Sequence, residues 1–194
     1  MKPIQHASDT QLIHLFRDGN SRALEVLVLR YKNKIFTSIL YLVKDKYLAE
    51  DIFQDVFIRV IDTLRKNRYI EDGKFLPWVM RIAHNLCIDH FRKIRHSPFV
   101  RIGDDRDAFE MVNLFERASD VKVMQAELYD QVRDNLDTLP KEQREVLVLR
   151  HYGDLSFKEI ADMTNCSVNT ALGRMRYGLI NMRKMFPENP TASL

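Results

Sequence analysis

Two cysteines in 194 residues, Cys87 and Cys166, are too few and too far apart for a disulfide framework or a four-ligand zinc site. Each sits within a helical apolar pattern, so both are expected as buried free thiols of a reduced protein. Long hydrophobic runs are missing too. No stretch approaches the about 18 apolar residues of a membrane-crossing helix, and the opening MKPIQHASDTQ has no signal core. A soluble, cytoplasmic chain with no direct membrane insertion is expected. A charge excess is also lacking: 30 Lys and Arg stand against 27 Asp and Glu, leaving a net charge of only +3. Phosphate neutralisation supplies most non-specific DNA affinity, so this balance is weak for a protein that holds DNA unaided. There is no acid pair, Gly-rich phosphate loop or nucleophile elbow. His84, Asp89 and His90 lie close in sequence, but the two histidines are six apart. That spacing puts them on different helix faces, not at the i, i+4 separation of two metal ligands. No enzyme activity, metal or cofactor is expected.

What the chain does have is helical periodicity almost throughout, with no period-two strand pattern. An apolar content of 45% excludes wholesale disorder. Ser8 with Gln11 caps a short helix carrying Leu12, Leu15 and Phe16, and Asp18-Gly19-Asn20 stops it. Ser21 opens a long helix with Ala23, Leu24, Leu27, Tyr31 and Ile35 on one face, and Lys44–Lys46 reads as a turn. The next helix carries Ala49, Ile52, Phe53, Val56, Phe57, Val60, Ile61 and Leu64. A polar loop follows from Lys66 to Lys74. Pro77 then suits the first turn of a helix, where its missing amide is harmless. That helix carries Trp78, Ile82, Leu86 and Phe91 on one side. Composition changes at Ser97-Pro98, and the mixed stretch to about Gln125 reads as a flexible linker. Helical patterning resumes with Met124, Leu128, Val132, Leu136 and Leu139, and another helix starts after Pro140.

The stretch from Leu155 to Lys184 carries the strongest functional signal. Ser156 and Glu159 form an S-x-x-E capping box, followed by Ile160, Ala161 and Met163 as the packing side of a first helix. Asn165 suits the left-handed conformation that turns the chain at a helix end. Ser167 caps a second helix, with an expected apolar seam of Val168, Ala171 or Leu172, Met175, Leu179 and Met182. Arg174, Arg176, Arg183 and Lys184 add positive charge, and no acid lies between Asp162 and Glu188. This is the build of a helix-turn-helix that lays its second helix in a DNA major groove. Its outward positions by periodicity are Asn169, Thr170, Gly173, Arg174, Arg176, Tyr177 and Asn181.

Three further pieces occur in order ahead of or overlapping this motif: AEDIFQDVFIRV (Ala49–Val60), FLPWVMRIAHNLCIDHFRK (Phe75–Lys93) and LDTLPKEQREVLVLRHYGDLSFKEIA (Leu136–Ala161). Together with it they resemble a bacterial sigma factor of the extracytoplasmic-function (ECF) type. The resemblance leaves only the linker and the two tails unmatched. It implies an all-α protein of two small helical domains: a sigma region 2-like domain over residues 1–96, a linker over 97–125, a region 4-like domain over 126–187, and a tail over 188–194. The implied partners are core RNA polymerase, through its β′ clamp and β flap, and promoter DNA. An anti-sigma factor is a further partner the resemblance allows. The implied function is promoter-specific transcription initiation, the alternative being a free-standing, dimeric helix-turn-helix regulator.

The resemblance also assigns residues. Glu50, Asp51, Gln54 and Asp55 would meet basic residues of the polymerase clamp, giving orientation and association rate more than affinity. The −10 strand would fall to Asn67, Arg68, Tyr69, Lys74, Trp78, Asn85, Arg92, Lys93 and Arg95. These interleave cations for the backbone, flat side chains for stacking and amides for base edges. Asn85, with Asn67–Lys74 as the variable wall, would hold a base flipped from the stack. The −35 element would be read by Ser167, Asn169, Thr170, Gly173, Arg174, Arg176, Tyr177 and Lys184. Arg176 is the best candidate for a base edge, whereas Arg174 and Lys184 suit phosphates. Relatives often carry a basic residue and a serine where this chain has Leu172 and Gly173. The promoter sequence therefore does not carry over, and Leu172 is expected in the core.

Overall fold

The computed structural model describes residues 4–96, 131–132 and 134–186. The expected linker over 97–125 and the tail over 188–194 lie outside the described residues. Every regular element among the described residues is helical: a 3-10 turn (Ile4–His6), α1 (Asp9–Arg17), α2 (Ser21–Val43), α3 (Lys46–Arg65), α4 (Phe75–His96), α5 (Lys141–His151), α6 (Phe157–Met163) and α7 (Val168–Met185).

Local chemistry sets these boundaries. Ser8 and Gln11 form the reciprocal capping box that starts α1, and Gly19 at φ 96° ends the turn behind it. The Asn20 side chain accepts the Arg22 amide to open α2, and Lys44 closes that helix in the left-handed conformation at φ 59°. Asp45 then accepts the Leu48 amide at 2.9 Å, so α3 begins one residue later. This gives physical content to the turn expected at Lys44–Lys46.

Helices α1 to α4 form one bundle around α2. Leu12 and Ile13 of α1, Leu27, Ile35 and Ile39 of α2, Val56, Val60 and Leu64 of α3, and Val79 of α4 are all fully buried. Each such side chain contributes about 1.5–3 kcal/mol by leaving water. The exposed face of α3 is acidic and the buried face apolar, as its periodicity predicts. Helix α4 departs from expectation. Its enclosed residues are Phe75, Leu76, Val79, Met80, Ala83, His84, Leu86 and Cys87, whereas Trp78, Ile82 and Phe91 are only half-buried. The buried surface is wider than one stripe because a second group of helices covers another side of α4.

That second group is α5 to α7. Helix α5 is its spine, and every residue from Arg144 to Leu149 is buried. Helix α5 packs against α7 on one side and against α2 on the other. Gly178 of α7 meets α5 closely: a Cβ there would lie 2.9 Å from the Leu147 side chain.

Between the two groups sits one buried polar pair. Nε2 of His84 in α4 lies 2.7 Å from Oε1 of Glu145 in α5. His84 is 2% exposed and Glu145 8%. Tyr41 and Tyr152 pack 5.8 Å apart between ring centroids, and the Lys141 ammonium lies 4.8 Å above the Phe91 ring. Lys34–Asp154 at 2.8 Å and Lys44–Asp137 at 3.3 Å complete the seam. Exposed ion pairs contribute about 0–1 kcal/mol each, whereas breaking a buried pair costs about 3–5 kcal/mol. The His84–Glu145 contact therefore dominates the polar part of the seam.

Replacing His84 with Leu strands the Glu145 carboxylate. The closed arrangement should weaken by about 3–5 kcal/mol, and the radius of gyration from small-angle scattering should rise while helix content by circular dichroism stays unchanged. An unchanged radius would show that this pair does not hold the two groups together.

Candidate nucleic-acid interface

The helix-turn-helix forms as its sequence predicts. The Ser156 hydroxyl accepts the Glu159 amide at 3.2 Å, and the Glu159 carboxylate accepts the Ser156 amide at 2.8 Å. Asn165 takes φ 50°, and the Cys166 amide reaches back to the Ala161 carbonyl at 3.0 Å, which closes α6 in a Schellman turn. Ser167 accepts the Thr170 amide at 3.0 Å and opens α7. Cys166 is half-buried rather than enclosed, with Sγ 3.2 Å from Thr164 Oγ1. Cys87 is the buried thiol, and burial pushes it up to about 12.

The face of α7 differs from the seam expected in sequence. Ala171, Met175, Gly178 and Met182 turn inward. Val168 and Leu179 are exposed, and so is Leu172 at 43%, which corrects its expected place in the core. The inward stripe follows Gly178, which lets α7 approach α5 more closely than a larger residue would allow. Asn181, expected outward, is half-buried and donates Nδ2 to Gln143 Oε1 of α5 at 2.9 Å. Asn169, Thr170, Arg176, Tyr177 and Lys184 are exposed, as is Ser167, whose hydroxyl is engaged as the cap. Arg174 and Gly173 are partly exposed, and a Cβ on Gly173 would meet no heavy atom within 4 Å. Leu172 and Tyr177 thus share an open, cationic surface with Arg176.

In the first bundle, Asp51, Gln54 and Asp55 are exposed on α3 and Glu50 is half-exposed. They do not stand apart from the residues assigned to DNA. Asp51 and Asp55 line one wall of an open groove of about 790 Å³, and Asp89, His90, Arg92 and Lys93 of α4 line the other. Arg92 also lies 3.5 Å from Asp89. Sequence spacing alone hid this shared groove, because about 40 residues of chain separate its walls.

The loop from Asn67 to Lys74 is strongly shaped. Asn67 sits at φ 50° and Gly73 at φ 77°, and Asp72 accepts the Lys74 amide at 3.1 Å. Asn67 and Arg68 are exposed. Tyr69, assigned to DNA from the resemblance, is instead only 6% exposed. Its ring stacks 4.4 Å from Trp78 and meets Phe75 edge-on at 6.2 Å. Tyr69 is drawn inward because three aromatic faces bury more apolar area together than apart, so it supports the loop rather than contacting a ligand. Burial, and then the nearby Glu71 carboxylate, raise its phenol pKa. Ile70 beside it is 83% exposed at the loop surface, and nothing in its sequence context marked it. Asn85 is exposed on α4, and Lys93 lies further along the same helix. The Arg95 side chain lies outside the described residues.

Lys74 Nζ is 3.0 Å from Glu159 Oε1, so the −10 candidate loop touches the first helix of the helix-turn-helix. Burial opposes ionisation of Glu159. Hydrogen bonds from Ser156 and Lys74 outweigh it and lower the carboxyl to about 2.

The arrangement as a whole defines a helical DNA-reading protein with a second, acidic and aromatic bundle attached. Among the described residues, no His/Cys/Asp/Glu group could hold a metal ion, and no helix is long and apolar enough to cross a membrane. Comparison with known proteins is more specific. The Sigma-70 region 2 family matches residues 27–97, and Sigma-70, region 4, matches residues 129–172. RNA polymerase sigma-H factor of Pseudomonas aeruginosa is 30% identical, over 86% of this chain and 88% of its own length. ECF RNA polymerase sigma factor SigW of Bacillus subtilis is 30% identical, over 87% and 91%. Two solved structures share the fold: CnrH in complex with the cytosolic domain of CnrY (22% identity, TM-score 0.60, covering 92% of this chain and 97% of that one), and the sigma factor RpoE of Bartonella quintana in complex with the anti-sigma factor NepR (15% identity, TM-score 0.59, covering 84% and 95%). The chain belongs to the ECF group of RNA polymerase sigma factors. That membership sets aside the free-standing dimeric regulator.

The acid response of Glu159 follows from its lowered carboxyl. A depressed carboxyl contributes stability that is fully present above its ordinary value of 4.5 and is lost as pH falls toward about 2. Across that window the stability difference between the wild-type protein and Glu159→Gln should shrink in chemical denaturation. A difference that stays constant would exclude the capping and Lys74 contacts as its source.

Proposed function

We propose that this sigma factor divides promoter recognition between its two helical units. The unit spanning residues 1–96 contacts core polymerase and captures the −10 strand; the unit spanning 126–187 reads the −35 duplex. The chain over 97–125 links them, and 188–194 is a tail. The family matches at residues 27–97 and 129–172 support this division. Glu50, Asp51, Gln54 and Asp55 face the β′ clamp helices, and the second unit lies at the β flap. Asn67, Arg68, Lys74, Trp78, Asn85, Arg92, Lys93 and Arg95 serve the separated strand, with Tyr69 supporting the loop from behind. Ser167, Asn169, Thr170, Gly173, Arg174, Arg176, Tyr177 and Lys184 serve the duplex. The chain carries no catalysis, since the polymerase forms the phosphodiester bonds. An anti-sigma partner is in keeping with the Bartonella quintana relative, which was solved with one.

One observation carries this reading: an exposed, basic helix-turn-helix is paired with a bundle that exposes Asn85 on α4, the helix that follows the aromatic-backed loop. The same geometry sets a requirement. Lys74 and Glu159 are 3.0 Å apart in the closed arrangement. Elements named −10 and −35 are separated by about 25 base pairs, or roughly 85 Å at about 3.4 Å per pair. One closed molecule cannot reach both, so the units separate as polymerase takes them up. The near-neutral charge of the chain agrees with a DNA grip that depends on that partner.

In run-off transcription with core polymerase on mapped native promoters, Asn85→Ala should impair promoter opening and leave core binding intact. Loss of core binding instead would remove Asn85 from strand capture. Arg176→Ala should relax preference at one −35 position by about 1–3 kcal/mol. A uniform loss across all sequences would make Arg176 a phosphate contact.

A further inference from the structure

Helix α1 lies ahead of the region 2 match, which starts at residue 27, yet it is joined directly to the loop assigned to base capture. At its carboxy-terminal end, Arg17 donates Nη2 to the Tyr69 carbonyl at 2.6 Å. In its first turn, Thr10 donates Oγ1 to Glu71 Oε1 at 3.3 Å. The same carboxylate oxygen accepts the Gly73 amide at 2.8 Å, so Thr10 and the left-handed Gly73 turn share one acceptor. Two of the loop's carbonyl and carboxylate groups are therefore held from outside the loop, both by α1.

Helix α1 is itself immobilised. Leu12 and Ile13 are fully buried, and Phe16 is 8% exposed. Asp9 accepts Arg30 Nη1 at 2.5 Å and the Tyr31 hydroxyl at 2.6 Å. Arg30 also donates to the carbonyls of Gln5 and Ala7, at 3.1 and 2.8 Å. The helix is thus fastened to α2 at its first turn and holds the loop from both its first and its last turn. At the joint, Arg17 Nε, Tyr69 Oη and Glu71 Oε2 are also buried.

We propose that Arg17 is a positioning residue for −10 strand capture: by holding the Tyr69 carbonyl it sets the 67–74 loop against α4 and so shapes the pocket for the displaced base. The inference rests on the strand-capture reading above. Tyr69 is the buried hinge of the loop, and its neighbours Arg68 and Ile70 both point to solvent. Rotation of the Tyr69–Ile70 peptide would displace both. Extracting a base from its stack costs a few kcal/mol, and only a pocket held to within about 0.5 Å returns it. Arginine suits the role because its planar fork loses little freedom for each hydrogen bond it makes.

The test uses holoenzyme reconstituted with the full chain, and a mapped promoter randomised across its −10 and −35 elements. Transcript counts give base preference at every position. Arg17→Met should lower preference at one or two −10 positions by tenfold or more, leaving −35 preference and core affinity unchanged. Arg17→Lys, which keeps a donor, should recover part of the preference. An unaltered −10 profile for Arg17→Met would overturn the proposal, as would an equal loss at −10, −35 and core binding, which marks a purely structural role. If Arg17→Met does not fold, Thr10→Val carries the same comparison with a smaller expected change, and an unaltered profile there overturns the proposal equally. Asn85→Ala in parallel separates the two ideas: if it abolishes −10 preference and the α1 variants do not, the positioning role falls alone. If Asn85→Ala also leaves the profile intact, strand capture falls with it.

Discussion

A carboxylate buried between two helical bundles constrains much of this molecule. Glu145 sits in the most enclosed helix among the described residues and finds its partner, His84, in the other bundle. Burying such a group without a partner is unfavourable by several kcal/mol, so the pair fixes which face of α4 meets α5. Once that register is set, the tyrosine pair, the Lys141–Phe91 contact and the peripheral ion pairs fall along one seam. The contact between Lys74 and Glu159 is a result of the same register. The peripheral pairs adjust the fit, while the buried pair selects it.

This seam bears on the proposed function because it joins two surfaces that, in that proposal, work far apart on DNA. The interaction that makes the free protein compact also keeps the 67–74 loop, proposed for the −10 strand, beside the helix-turn-helix proposed to read −35. A buried polar pair is a weak source of net stability compared with apolar packing, but separating its members leaves each without its partner. An interface built around one should therefore open as a unit, with little populated between closed and separated. In the proposed function, polymerase binding supplies the free energy for that change and so ties DNA recognition to assembly of the holoenzyme.

Much of the fold was legible in the sequence because short-range chemistry wrote it. The Ser8 and Ser156 capping boxes, the Asn165 turn and the Ser167 cap each involve residues within a few positions of one another. The acidic face of α3 was equally plain from its period. What the pattern missed was set by distant packing. Leu172 and Asn181 changed places with expectation because Gly178 brings α7 close to α5 along a different stripe. Tyr69 looked like a surface aromatic until Trp78 and Phe75 closed around it. The helix after Pro140 was legible, but a single chain pattern does not say that two bundles share it. Nor does it show that α3 and α4 enclose one groove, since periodicity describes faces and not their neighbours.

Gly173 has a different kind of consequence. It lies in α7, the helix proposed to read the −35 duplex, and a side chain added there would enter open space. Glycine inside a helix is unfavourable by about 1 kcal/mol relative to alanine, so most replacements at this position would not harm the scaffold. The chain thus holds an unfilled site on its proposed DNA-facing surface, where a new contact could be added without disturbing the packing of α7 on α5. At this one position, recognition is decoupled from folding.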